Sequence, residues 1–343
     1  MTPIERGLTR DIVVIGGSAG AIEPLRTILG KLPANFGAAI FVTIHIPSDF
    51  PSFLPSVLSS GPLPVLHPTD RAPFQRGAAY VAPADYHLLL EKGSLRLSRG
   101  ARENRHRPAI DPLFRSAARA YGPRVIGIIL SGQLDDGSAG LMAVKMRGGT
   151  TIVQSPDEAL SAEMPQNAIH YACPDQILTA DEIADFLLKA TTEPLEAGIQ
   201  TRGARVIDES KDESREADLE YDNSKQHNGK PSAFACPECH GVLWEIEDGQ
   251  LLRFRCRVGH AYTADALHMA LSESTEDSLW AAMRVMEEKA ALLRRMAARS
   301  GPNMGKKYLE EAAGYDKHVG IIRKMLVENQ HLQKEENQNK DVA

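Results

Sequence analysis

The sequence predicts an α/β protein built on a doubly wound, mostly parallel sheet and followed by two smaller C-terminal elements. Three observations predict it. Up to about residue 194, short apolar runs rich in β-branched residues alternate with amphipathic stretches, as in strands buried on both faces and joined by crossover helices. Three of the four cysteines fall within the 21 positions 236–256, too few for a disulfide scaffold and spaced for a metal clip. Beyond residue 265, two long segments repeat apolar residues at three-and-four spacing on either side of Gly301-Pro302.

The elements follow in order. Ile12–Gly16 (IVVIG) and Ala38–Ile44 (AAIFVTI) read as strands, and Ile22–Leu29 between them reads as a helix stopped by Gly30 and Pro33. Leu88–Leu97 reads as a hairpin turning at Lys92-Gly93. Asp111-Pro112 is an N-cap and first-turn proline opening a helix to about Tyr121. Strand Arg124–Ser131, helix Gly137–Arg147, strand Thr150–Gln154 and helix Asp181–Ala190 complete the layer. Residues 195–230 hold nine Asp/Glu and six Lys/Arg with few large apolar residues, an acidic flexible linker.

The organisation predicted is therefore a catalytic-type α/β domain over 1–194, the linker, a cysteine module over 231–265, a helical hairpin over 266–333 and a polar tail over 334–343. In the hairpin, Leu279, Met283, Met286, Ala290, Leu293 and Met296 face Tyr308, Ala312, Tyr315, Val319, Ile322 and Met325. A net charge of −6 argues against broad gripping of nucleic acid or anionic membrane. With no signal peptide and no run of ~20 apolar residues, the chain reads as soluble and cytoplasmic, without direct membrane insertion.

Gly16-Gly17-Ser18-Ala19-Gly20 lies where the first strand meets the first helix. A dinucleotide loop would need glycine in place of Ser18, so that pattern fails. The alternative, G-x-S-x-G, sets a serine on a sharp strand-to-helix turn; a phosphate loop or a structural turn fits the same five residues. A serine nucleophile needs a base and a group to orient it. His45 follows the second strand and Asp135-Asp136 follow the strand Arg124–Ser131, so a parallel sheet brings all of them to one carboxyl edge. A histidine after a strand is commonly solvated, and an aspartate before Gly137 can simply make a turn.

The blocks IGGSAG at 15–20, Ile44-His45-Ile46-Pro47, Tyr80–Asp85 with His87, Asn104–Phe114 (NRHRPAIDPLF), LSGQLDDG at 130–137 and Glu163-Met164-Pro165 resemble the catalytic domain of the chemotaxis receptor methylesterases (CheB type). The resemblance covers about residues 10–190 and implies hydrolysis of glutamate methyl esters on chemoreceptor-like signalling proteins, and deamidation of receptor glutamines. It implies Ser18 as nucleophile, His45 as base and Asp136 as the group orienting it. Backbone N–H groups of Ala19 and Gln133 would hold the oxyanion, and Arg107 and Met164 would bind substrate. It implies no cofactor for catalysis. The chain departs from the family in two places: Ala19 replaces a usual threonine, and Gln133-Leu134 replace a usual methionine-glycine pair. The first strand starts at Ile12, leaving no room for the usual N-terminal receiver domain, so phospho-control would come from a separate response-regulator chain. The alternative is a catalytically weak relative that docks on a signalling partner through its C-terminal module.

In that module Cys236-x-x-Cys239 and Cys256-x-x-x-His260 supply three sulfurs and an imidazole, a set suited to tetrahedral structural zinc. The segment between them, Gly241–Phe254, reads as a hairpin around Glu247-Asp248-Gly249, which makes the arrangement zinc-ribbon-like. His240 is a rival ligand, awkwardly adjacent to Cys239, and Arg253, Arg255 and Arg257 are too few on an acidic chain to argue for nucleic acid. Cys173 is expected to be a partly buried residue of the α/β layer.

Overall fold

The computed structural model describes residues 9–47, 52–195, 229–248 and 251–340. The predicted α/β layer takes the form of strands β1 (Ile12–Gly17), β2 (Ala39–Ile44), β3 (Val65–Leu66), β4 (Ala78–Val81), β7 (Val125–Ile129), β8 (Thr150–Gln154) and β9 (Gln176–Leu178). A separate antiparallel hairpin, β5 (His87–Glu91) and β6 (Ser94–Ser98), is interposed. The main sheet has the order β3-β4-β2-β1-β7-β8-β9, and all its pairs are parallel. The chain builds outward from β1 in one direction and then, through β7, in the other. The carboxyl ends of β1, β2 and β7 therefore flank the crevice where such sheets bind ligands.

Helices α1 (Ile22–Lys31), α2 (Leu54–Leu58), α3 (Ile110–Tyr121), α4 (Ser138–Met146), α5 (Glu163–Ala172) and α6 (Ala180–Ala190) cover the two faces. The period-two alternation of β1 decides which residue meets which layer. Val13 and Ile15 join Leu25, Ile28, Leu29 and Leu187, while Ile12 and Val14 join Phe114, Leu141, Val144 and Ala168. A strand apolar at every position is thus the only kind that satisfies both layers.

Three local expectations are corrected. Helix α1 continues through Gly30 to Lys31, and the turn before Pro33 stops it. Asp111 is not the N-cap of α3; Ala109 holds that place, and the Asp111 carboxylate accepts instead from the N–H groups of Gly137 (3.1 Å) and Gly140 (2.7 Å). Cys173 is exposed, at a left-handed position (φ 45°) ending α5.

The C-terminal strands β10 (Lys230–Ala235), β11 (Val242–Asp248), β12 (Leu251–Cys256) and β13 (Ala261–Thr263) form a four-stranded antiparallel sheet. The expected linker falls almost wholly on residues outside those described, as does the turn at 249–250. One compact unit runs to Leu267 and a second begins at His268. The sequence reading sets the cysteine module apart from the α/β layer, whereas packing joins them: Ala261 bridges to Glu103 in parallel fashion.

Helices α7 (Ala264–Ala297) and α8 (Pro302–Lys340) follow. In the second unit Ala290 and Leu293 pack with Ala312, Tyr308 and Tyr315. Arg294 pairs with Asp316, and Glu287 with Arg323, so the helices run antiparallel. Residues 334–340, read as polar tail, continue α8; their Lys, Glu and Gln residues are good helix formers. Among the described residues no helix is long and apolar enough to cross a membrane.

Candidate active site

Ser18 is the first residue beyond β1, and two devices hold its turn. Its N–H donates to the carbonyl of Ser131 beyond β7 (2.9 Å), and the Ser131 hydroxyl donates back to the carbonyl of Ala19 (2.7 Å). Gly20 sits at φ +80°, where a side chain would be strained. At Gly132 the demand is for closeness, since a Cβ there would lie 2.7 Å from the Met164 sulfur and 3.0 Å from the Ser18 Cβ. The buried Met164 therefore packs behind the loop that carries Gln133. The Ala19 and Gln133 N–H groups engage no backbone carbonyl among the described residues.

His45 follows β2, and its N–H donates to the carbonyl of Gly17 (3.2 Å). Its Nε2 lies 2.8 Å from Asp136 Oδ2, with both side chains buried. Ser18 and His45 open together onto a cavity of about 670 Å³ that Ile22, Ile46, Gln154, Glu158 and Leu160 also line. The rings of His45 and His106 stack, with centroids 3.7 Å apart and planes 11° from parallel. Burial and the neighbouring His45 push His106 down to about 3, so it stays a neutral platform.

Asp136 is held from every side. Oδ2 also accepts from the Ile110 N–H (2.7 Å), and Oδ1 accepts from Asn104 Nδ2 (2.9 Å) and the Asp111 N–H (3.3 Å). Burial alone would raise its pKa, but the hydrogen bond and charge of His45, with these donors, hold it well below the usual carboxylate range. Asp136 is thus an ionised acceptor near neutral pH. That places the hydrogen of the shared bond on His45 Nε2 and leaves Nδ1 as the acceptor.

The remaining acids divide by environment. Burial and the charge of Asp136 push Asp111 up to about 7. Burial does the same to Asp135, also to about 7, although the Thr263 hydroxyl donates to it at 2.6 Å. Glu103 is buried too, but Arg115, Arg255 and Arg253 bring it down to about 2.

Of the residues expected to bind substrate, Arg107 spends its guanidinium on Asp85 (Nε to Oδ1 2.9 Å) and on the carbonyls of Gly100 (2.7 Å) and Arg99 (3.3 Å). It shapes that loop, and neither Arg107 nor Met164 is among the residues lining the cavity. Sequence reasoning passed over Asn104, His106, Ser131 and Thr263. The first two stood in the NRHRPAIDP run and Ser131 in LSGQLDDG; nothing local marks Thr263.

The cysteine cluster is assembled as well. The ligand atoms of Cys236, Cys239, Cys256 and His260 all lie within 4.8 Å of one another. Cys256 Sγ and Cys236 Sγ stand 3.5 and 3.6 Å from His260 Nδ1, and Cys239 Sγ is 3.5 Å from Cys256 Sγ. His260 Nε2 meets Glu238 at 3.2 Å, a carboxylate on the far nitrogen that would fix Nδ1 as the ligating atom. His240 is exposed and stands outside the cluster. Arg255 faces Glu103 at 3.5 Å.

Comparison with known proteins agrees with the α/β layer. Residues 13–187 match the family described as CheB methylesterase. A protein of Leptospira interrogans, named a protein-glutamate methylesterase/protein-glutamine glutaminase, is 36% identical over 188 residues, covering 54% of this chain and 97% of the relative. A Rhizobium johnstonii protein of the same name, numbered 2, is 36% identical over 185 residues; there the match spans 52% of this chain and 50% of the relative. The crystal structure of the Thermotoga maritima CheB methylesterase catalytic domain superposes with a TM-score of 0.50 at 34% identity, covering 52% of this chain and 97% of that one.

Proposed function

The chain belongs to the CheB methylesterase family, and we propose that it hydrolyses glutamate methyl esters on methylated chemoreceptor-type proteins, with Ser18, His45 and Asp136 as its catalytic residues. The observation that carries this reading is the His45–Asp136 bond of 2.8 Å at the edge of a cavity that Ser18 also lines. Deamidation of receptor glutamines would use the same groups, since it too replaces a leaving group on a glutamyl carbonyl.

In this reading His45 Nδ1 takes the Ser18 proton as Oγ attacks the ester carbonyl. The tetrahedral oxyanion is held by the N–H groups of Ala19 and Gln133. Collapse breaks the bond to methoxide, which leaves as methanol with the proton from His45. Water, deprotonated by the same nitrogen, then releases the glutamate carboxylate and restores Ser18. Ionised Asp136 stabilises the imidazolium at each stage. The second proposal concerns the ribbon: Cys236, Cys239, Cys256 and His260 hold structural zinc, which suits three thiolates and an imidazole within 4.8 Å of one another.

The test is methanol release from a methylated receptor. Ser18→Ala is expected to lower kcat by about 10⁴-fold or more with its fold intact by circular dichroism. Undiminished release would remove the reading.

A further inference from the structure

Among the described residues, the ribbon meets the esterase around the support of Asp136. The Glu103–His106 turn is closed by paired backbone bonds, Glu103 N–H to His106 O (3.2 Å) and His106 N–H to Glu103 O (2.9 Å). Asn104 and Arg105 between them sit at φ 48° and 72°. Two consecutive left-handed residues make a tight turn that aims the Asn104 side chain inward. Nδ2 then reaches Asp136 (2.9 Å) and Asp111 (3.2 Å).

What keeps that amide facing the acids comes from residues 261–263. The Asn104 N–H donates to the Ala261 carbonyl (2.8 Å), and the Ala261 N–H donates to the Arg102 carbonyl (3.3 Å). The Thr263 N–H donates to Asn104 Oδ1 (3.0 Å). An amide whose oxygen is taken by a backbone donor can present only its NH₂ to the carboxylates. Thr263 adds a second link, its hydroxyl donating to Asp135 and accepting from the Ala266 N–H (3.2 Å) at the start of α7. These residues follow directly on His260, whose carbonyl accepts from the Cys256 N–H (2.9 Å) within the ligand cluster.

We infer that the ribbon is a working part of the hydrolase: metal at Cys236, Cys239, Cys256 and His260 fixes β13, β13 fixes Asn104, and Asn104 positions Asp136, so that turnover at Ser18 depends on zinc in a site that never touches substrate. This rests on the methylesterase reading for its activity, but its structural half stands separately. Asn104 and Thr263 are positioning residues. Zinc release by chelation then acts as a switch on the esterase.

The experiment uses the full chain, zinc-loaded and stripped by a chelator, with bound zinc read by native mass spectrometry. Stripping is expected to lower kcat for methyl-ester hydrolysis about tenfold, the worth of one hydrogen bond, with KM unchanged and activity restored by added zinc. Amide hydrogen exchange should rise over 103–111 and 130–137, while β1 keeps its protection. Asn104→Ala should keep its zinc yet show the same kcat loss and a displaced acid limb of the pH–rate profile; Thr263→Ser, which retains the hydroxyl, should match the parent. Absence of bound zinc, or a stripped protein with unchanged exchange over 103–111, overturns the inference. So does exchange that rises equally through β1, because the ribbon would then stabilise the whole unit and position nothing. If neither form cleaves any ester, the methylesterase reading fails, and the exchange over 103–111 still decides the coupling.

Discussion

In the parallel sheet, β1 is buried along its whole length, with Val13 and Ile15 in one apolar layer and Ile12 and Val14 in the other. Among the described residues of the ribbon, the buried apolar set shrinks to Leu243, Ile246, Leu251, Phe254, Ala261 and Tyr262 beside two buried thiols, while Phe234, Val242 and Leu252 stay exposed. A region with two full layers can place polar groups at its edge by core packing alone. A four-stranded sheet of short strands cannot bury enough, and needs a covalent or metal clip. The comparison teaches that the site borrows from both: Ser18 and His45 are placed by apolar packing, whereas the Asn104 bond to Asp136 is backed by β13 of the four-stranded sheet.

The sharpest way to break this comparison is at Asp136, where the two supports meet. Each of its oxygens already accepts hydrogen bonds, Oδ2 from Ile110 and His45 and Oδ1 from Asn104 and Asp111. In Asp136→Asn an NH₂ must replace one of them. Facing His45, it donates to Nε2 and forces the hydrogen onto Nδ1, which can then accept nothing. Facing Asn104, it meets another NH₂. We expect kcat to fall by about 10³–10⁴-fold with zinc content unchanged. A loss below tenfold would show that the carboxylate does not set the tautomer.

The next effect belongs to the sheet alone. Phe114 is fully buried on α3, against Gly127 of β7 and Gly140 of α4. Phe114→Ala leaves a cavity there and is expected to cost about 3–5 kcal/mol of stability by urea unfolding, with zinc still bound to the folded fraction. Loss of zinc at denaturant concentrations where the sheet remains folded would mean that the two regions are less separate in their energetics than their cores suggest.

What the sequence disclosed follows the same division. Ser18, His45 and Asp136 were legible because each stands just past a strand, and parallel topology alone gathers strand ends. The thiol and imidazole cluster was legible because its Cys-x-x-Cys and Cys-x-x-x-His spacings are local. Asp111 was misread as a cap because Asp-Pro is a local signal, while its actual partners, Gly137 and Gly140, come from a later helix. The Asn104–Thr263 bond joins residues 159 positions apart, and no periodicity encodes a contact between two elements that each look complete on their own. Helix α5 went unread although Met164, Pro165, Ala168 and Ala172 recur at helical spacing along its buried side.

The smallest effect sharpens the comparison at the seam itself. Asp135 belongs to the sheet's edge loop, yet its hydrogen bond comes from Thr263 of the ribbon. Burial, together with the charges of Asp265, Asp111 and Asp136, raises it to about 7 against the Thr263 bond, which lowers it. An unfolded aspartate titrates near ~4, so between about pH 4 and 7 the folded chain binds more protons than the unfolded one. This carboxyl therefore contributes most to stability below about pH 4, and that contribution is lost as pH rises to about 7. Asp135→Asn keeps an acceptor for the Thr263 hydroxyl and carries no charge to bury. It should stabilise the protein by about 2 kcal/mol at pH 8, and the gain should shrink as pH falls toward 5. Asp111, also raised to about 7, titrates in both proteins, so the difference between their melting temperatures reads Asp135 together with its coupling to Asp111. Equal differences at pH 5 and pH 8 would mean that water reaches the seam and that the ribbon does not seal it.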